Sequence, residues 1–238
     1  MDDREVTEYY HRGVVCQMIG QDLAIPLDVE LQRPGEGEVP AAKRLLERVF
    51  ANYSRYFDAE VGDGLYFEAP FINFCREHHK HVLVVVKGDH RLLLQDAAGL
   101  FAQRGPDGQW TAGRRTVQYW DDEGFTSSEG VAEPLRVLHT LETEQRRERI
   151  AGQWKKTEQT SSWYWATTFS RSQLPSRSLW PLALGHRERL LQHHLDPLGP
   201  GSRVQARTDG DRQFRAHAVS GLRSSAVLLA TEPQAAAA

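Results

Sequence analysis

Apolar positions alternate or cluster in a regular way along the first 185 residues and lose that order afterwards. His11 to Ile19 (HRGVVCQMI) predicts a strand, and Leu23 to Leu31 (LAIPLDVEL) predicts a second, with Pro26 marking an edge or a strand start. Pro34 to Glu38 reads as a loop. Pro40 stands where a first-turn proline is tolerated and opens a helix through Phe50 or beyond, with Leu45, Leu46, Val49, Phe50 and Tyr53 on one face. Ala59 to Phe67 predicts a short strand and turn, and Pro70 to His78 a helix. His81 to Lys87 is a near-continuous apolar run, as expected of a strand covered on both faces. Leu92 to Phe101 is again amphipathic.

Strands alternating with helices favour an α/β layer with a partly parallel sheet. Between Arg104 and Ser170 the pattern changes to strand-like pieces at Thr116 to Trp120, Leu135 to Leu141 and Ser162 to Phe169. Polar stretches separate them, Glu142 to Arg149 among them, so the region reads as a β-rich insertion. Ser178 to Leu184 predicts the start of another helix.

Composition changes the picture at the C-terminal end. Every tryptophan, cysteine, methionine and lysine precedes His186, and Phe214 is the one aromatic residue after it. Residues 184–238 show neither a helical stripe nor sustained alternation, apart from Ala226 to Leu229, and are expected to be disordered. The whole chain of 238 residues is 40% hydrophobic and 26% charged with a net charge of -3, which is ordinary globular composition. No apolar run approaches the roughly 18 residues of a membrane span, and the acidic start Met1-Asp2-Asp3 is not a secretory signal. Cys16 and Cys75, without a CxxC pair, exclude a disulfide framework and suit a reducing cytoplasm.

Few residues carry obvious chemistry. Asp63 follows a short apolar strand and lies between Gly62 and Gly64. Ligand groups gather at the carboxyl ends of strands in open α/β sheets, and glycines admit close approach, so Asp63 is either a metal ligand or a turn aspartate bonding its own backbone. Asp28 and Glu30 share one strand face, with Glu36 and Glu38 in the following loop; a solvated face accounts for them more simply than a cation site. His78, His79 and His81 with Cys75 have the donors of a zinc site, but His78, His79 and Lys80 end a helix, where cations oppose the dipole, and no second cluster completes a tetrahedron. Phosphate-binding glycine loops and a nucleophile elbow are absent.

Tyr9-Tyr10-His11-Arg12, Pro26-Leu27-Asp28-Val29-Glu30, Pro34 to Glu38, Ala41-Ala42 with Leu45-Leu46, Asp63-Gly64-Leu65-Tyr66 with Ala69-Pro70-Phe71, Val84 to Lys87 and Trp163 to Thr168 occur in that order. Together they resemble the DDE transposases of bacterial insertion sequences over residues 7 to 183. The resemblance implies a ribonuclease-H-like α/β fold, a mixed sheet with flanking helices and a β-rich insertion, in which three carboxylates hold two Mg²⁺ or Mn²⁺ ions for in-line attack on phosphodiesters. It places Asp63 as the second acid, catalytic and metal-binding. The first acid belongs to a strand upstream of the Tyr9 to Ile19 match and is expected to be missing. The third belongs to a W-x-I-E-N helix after the Trp163 to Phe169 strand; Glu188 lies near that place without the flanking pattern.

Shifted by one base, suitable codons for Leu184 to Leu191 can spell W-D-I-E-N-D-Y-F, with the glutamate on the codon of Arg187. Asp196 to Ser202 can spell T-H-W-G-L-D-H, and the stretch from Gln213 a long apolar helix. The expectation is therefore a frameshifted remnant in four parts: a partial catalytic core over 1–103, the insertion and return strand over 104–170, the approach to the last helix over 171–183, and a disordered or non-native tail over 184–238. The resemblance implies transposon-end DNA as partner, with Arg and Lys on loops as phosphate contacts; Arg114-Arg115, Arg146-Arg147 and Lys155-Lys156 are the local patches for this, and surface solvation accounts for them equally well. It implies no membrane and a nucleoid-associated place in the cytoplasm. A lone Asp63 would not hold the two ions stably. An alternative of another class is a non-catalytic protein that binds DNA or an intact transposase copy, or a homo-oligomer, and poisons assembly. A third uses Asp28, Asp63 and Glu188 as the acids of an independent nuclease.

Overall fold

A computed structural model describes residues 12–19, 25–88, 92–112, 114–150, 153–176, 178, 179 and 224–230. Strands β1 (Gly13–Ile19) and β2 (Ile25–Leu31) lead into helix α1 (Glu38–Tyr53). Then come β3 (Ala59–Gly62), α2 (Ala69–Glu77), β4 (His81–Val85) and α3 (Leu92–Ala102). Strands β5 (Gly108–Ala112), β6 (Arg115–Phe125), β7 (Leu135–Ile150) and β8 (Gln153–Thr167) follow, and β9 (Ser224–Ala230) is the last. Among the described residues, nine strands join one mixed sheet in the order β2-β1-β9-β3-β4-β8-β7-β6-β5. The protein is thus mixed α/β, and no helix among the described residues is long and apolar enough to cross a membrane.

The expected helix and strand positions in the first hundred residues follow from burial. Helix α1 puts Ala41, Leu45 and Val49 in one row and Ala42, Leu46 and Phe50 in the next, all buried. That spacing of four is what a helix laid flat on a sheet requires. Its target is the face of the sheet carrying Val14, Cys16, Val82, Val84 and Ala166, where Phe71, Cys75, Leu93 and Phe101 of α2 and α3 also pack. The opposite face buries Ile19, Ala59, Val61, Leu83, Val85, Leu138 and Trp165 beneath Phe169, Leu174 and Leu179. Strand β4 therefore alternates between two buried faces, the reason its sequence shows no polar alternation.

Three expectations need correction. The polar stretch from Glu142 to Arg149 is not a connector but the second half of β7, paired residue by residue with β8 out to Ile150 opposite Gln153. The return strand begins at Gln153 rather than Ser162, and β5 was not foreseen. Polar residues on both faces are compatible with a strand once the sheet beside it has ended, and such a strand has no hydrophobic period to detect. Within the tail expected to be disordered over 184–238, Ser224–Ala230 forms β9, between β1 and β3. Its other residues lie outside the described ones, as do Tyr9 to His11, Glu188, Arg187 and the segments 184–191 and 196–202 of the frame-shifted motifs.

Candidate functional site

The sheet delivers Asp63 to its surface in a defined way. All four residues of β3 are buried, and the chain emerges at Asp63, which is extended and caps a single 3₁₀ turn, Gly64–Tyr66. Asp63 Oδ1 accepts the Leu65 backbone N–H at 2.8 Å. This is the turn role that its sequence neighbourhood allowed, and it occupies one carboxylate oxygen. The turn aspartate is present, and the carboxylate keeps further acceptor capacity on both oxygens.

The glycines around Asp63 admit close approach, as expected, but the visitors are the chain's own side chains. A Cβ on Gly62 would stand 3.0 to 3.2 Å from the Tyr66 side chain, and one on Gly64 3.1 to 3.2 Å from the stem of Lys87. Tyr66 is 1% exposed, and its hydroxyl donates to Glu38 Oε1 at 2.5 Å. Burial first, then the charges of Glu38 and Asp63, push its ionisation far up, so it stays a neutral donor. Asp63, Lys87, Tyr66 and Glu38 thus form the site at this end of the sheet. Lys87, whose stem packs at Gly64, had no signal in the sequence beyond its place at the end of an apolar strand.

The other acids are engaged elsewhere. Arg48 of α1 reaches Asp28 Oδ2 with Nε at 2.8 Å and Glu30 Oε2 with Nη1 at 2.7 Å. Arg44 Nη2 lies 3.0 Å from Glu30 Oε1, and Nη1 and Nη2 of the same residue hold Glu36. The Arg48 hydrogen bonds hold the Asp28 and Glu30 carboxyls below their usual range, and the Arg44 hydrogen bond lowers Glu36 to about 2. These acids tie strand β2 to helix α1, so the cation-site reading of Asp28 and Glu30 gives way to an ion-pair network on a strand face.

The histidines diverge as well. The His78 ring lies 4.8 Å from those of Phe50 and Phe74. His79 takes φ 59 after α2, and the Lys80 N–H bonds back to Cys75 O at 2.9 Å, a helix stop in the left-handed conformation usually given to glycine. His81 Nδ1 lies 3.2 Å from Thr168 Oγ1 and its ring stacks on Phe169 at 4.0 Å. Burial, helped by Arg76, pushes the His81 pKa down. Cys75 is fully buried, and burial pushes its thiol up, away from the thiolate a metal needs. Among the described residues no three His, Cys, Asp or Glu side chains gather to hold a metal ion. The donor set here does not fit two divalent ions.

Two clefts lie away from Asp63. One of about 490 Å³ is lined by Phe67, Glu68, Pro70, Leu92, Ser127 and Glu129. Another, of about 340 Å³, is lined by Arg76, His81, Glu123, Glu133, Phe169 and Gln173. Its polar groups pair with one another: Arg76 holds Glu133, and Gln173 reaches His81.

No protein-family model matches the chain, and no curated protein sequence matches it.

Proposed function

We propose that this chain is a catalytically incomplete remnant of a DDE transposase, a ribonuclease-H-like core that binds DNA without cutting it. The observation that carries the reading is the placement of Asp63. It stands at the carboxyl end of β3, which runs parallel to β4. An antiparallel β1–β2 pair comes before it in the chain, and a β-rich excursion, β5 to β8, returns to pair with β4. A mixed sheet with flanking helices and a late β-rich excursion supports the reading. The proposed lack of activity rests on chemistry: an in-line phosphoryl transfer with two cations needs several carboxylates converging on them, and among the described residues no three acids gather around Asp63.

The test is a nicking assay on supercoiled plasmid DNA with Mn²⁺ or Mg²⁺. The expected result is no metal-dependent nicking by the purified chain and none by Asp63→Ala. Nicking that requires the metal and disappears in Asp63→Ala overturns the reading.

A further inference from the structure

Among the described residues β2 is the last strand on its side of the sheet, and the pairing pattern shows which of its backbone groups face outward. The Gln32 N–H donates to Arg12 O at 2.9 Å, so these two form a hydrogen-bonded pair of the antiparallel β1–β2 ladder. Bonded and non-bonded pairs alternate along such a ladder. Val14 and Glu30 therefore bond across it, while Leu31 opposite Gly13 and Val29 opposite Val15 turn their N–H and C=O groups to the open edge.

An open edge is a template for another strand, the more so where it is apolar. Val29 is 53% exposed and Leu31 55%. Both side chains lie over Gly13, where an added Cβ would stand 3.4 Å from Leu31 Cδ2 and 3.9 Å from Val29 Cγ2. Yet three of the four outward backbone groups are taken by side chains. The Val29 N–H donates to Asp28 Oδ1 at 2.7 Å. Arg48 Nη2 donates to Val29 O at 3.3 Å, and Arg44 Nη2 to Leu31 O at 3.4 Å. Acids hold both guanidiniums in place, Arg48 on Asp28 and Glu30, and Arg44 on Glu30 and Glu36. Two arginines against three acids leave one net negative charge, too little to keep two copies apart by repulsion. Closure of the edge rests on the hydrogen bonds.

We propose that Arg44, Arg48 and Asp28 form an edge guard, and that the surface they close is a pairing edge for a second copy of this chain. The occupant follows from symmetry. About a two-fold axis through Val29, the same strand of two copies runs antiparallel, and Val29 meets Val29, each giving its N–H to the other's C=O. The guard stands apart from the reading of Asp63, so failure of either leaves the other intact.

The experiment is sedimentation of the full chain up to about 0.2 mM, where an interface with a Kd of about 0.1 mM is largely populated. The parent should stay at 27.0 kDa. Arg48→Met/Asp28→Val frees both outward groups of Val29 and removes one charge of each sign. Methionine keeps the helix propensity of α1, and valine suits a strand. This variant should approach twice the parent's mass as its concentration rises. Adding Arg44→Met/Glu30→Gln, which frees Leu31 O at unchanged net charge, should tighten association roughly tenfold, the worth of one or two hydrogen bonds. Val29→Pro in either background should restore the monomer. That residue's N–H faces outward, so proline spares the ladder to β1 and denies the second copy a donor. Arg48→Gln alone, which frees Val29 O, decides the matter if the paired variant does not fold. A folded variant that stays monomeric overturns the proposal. So does association that survives Val29→Pro, which assigns it to an apolar face, and so does a parent that is already a dimer undone by Val29→Pro.

Discussion

Replacing Glu60 with leucine should make the protein more stable, and more so as the pH rises. Glu60 lies in the middle of β3, opposite Val82 on one side and Leu229 on the other. It is 1% exposed, and neither carboxyl oxygen has a hydrogen-bond partner among the described residues. Lys80, the nearest cation acting on it, gives its ammonium to Ser54 O at 2.5 Å and Phe57 O at 2.7 Å. The two thiols within electrostatic reach, Cys16 and Cys75, are themselves kept neutral by burial. Burial therefore holds the Glu60 carboxyl protonated well above its ordinary range.

An acid whose pKa is raised by folding binds its proton more tightly when native, so stability falls as pH climbs past the unfolded value near 4.5. The slope is about 1.4 kcal/mol per pH unit until the native group itself titrates. An orphaned buried polar group costs about 1–3 kcal/mol besides. Leucine has a similar volume, so the repacking penalty stays below about 1.5 kcal/mol. Glu60→Leu should accordingly gain about 1–2 kcal/mol at pH 5 and about 1.4 kcal/mol more for each unit above it. Glu60→Gln separates the two effects: it keeps the orphaned polar atoms and abolishes the ionisation, so relative to wild type it should gain little at pH 5 and about 1.4 kcal/mol more for each unit above it. Urea unfolding at pH 5, 6 and 7 measures all three proteins. A wild-type slope equal to that of Glu60→Gln, or a Glu60→Leu protein weaker than wild type at pH 7, refutes the reasoning.

Two other buried polar groups make predictions of different sign. Asp121 and Arg136 are each 2% exposed and doubly bonded, Nε to Oδ1 at 2.8 Å and Nη2 to Oδ2 at 2.6 Å; Asp121→Ala should cost about 3–5 kcal/mol in urea unfolding, and adding Arg136→Met should recover most of it. Burial alone would raise the Asp121 carboxyl, but Arg136, Ser176 and Arg171 hold it below its usual range, so this contribution is present above pH 3.8 and fades as the pH falls below it. The His139 ring, sandwiched 4.2 Å from Tyr164 and 4.8 Å from Trp120, is pushed by burial to about 4, so the wild type should lose stability between pH 6.5 and 4 by up to about 1.4 kcal/mol per unit, and His139→Phe should remove that loss in the same assay.

The sequence reading succeeded where burial wrote a period into the chain. The i, i+4 rows of α1 and the apolar run of β4 were legible because each faces apolar surroundings along its length. The far end of the β7–β8 hairpin was missed because, among the described residues, Gln145 to Thr157 has no sheet beside it to impose alternation. Strand β9 was missed for another reason: among the described residues Ser224–Ala230 pairs with strands about 170 and about 210 residues earlier in the chain, and a seven-residue segment carries no trace of so distant a partner. The acids of β2 were rightly read as a strand face, but their partners Arg44 and Arg48 could be assigned only once α1 was seen to lie over that strand.

Strand direction explains why, among the described residues, no neighbouring strand ends on a second carboxylate beside Asp63, leaving Glu38 of α1, which accepts the Tyr66 hydroxyl, as the other acid of the site. Side chains converge at one end of a sheet when strands ending there run the same way. Strand β9 is antiparallel to β3, with Ala230 opposite Ala59 and Leu228 opposite Val61, so it brings its beginning, Ser224-Ser225, toward the Asp63 end. Strand β1 is parallel to β9 and likewise begins there. Only β2 and β4 run with β3 among its near neighbours. Strand β4 continues into Lys87, a cation. Strand β2 does bring Glu30, but β1 and β9 lie between, and three strand spacings amount to about 14 Å. Carboxylates that share a pair of cations about 4 Å apart cannot be separated so far. Strand β4, the parallel neighbour of β3, therefore runs on to Lys87 rather than to an acid, and the acids of β2 are held by Arg44 and Arg48.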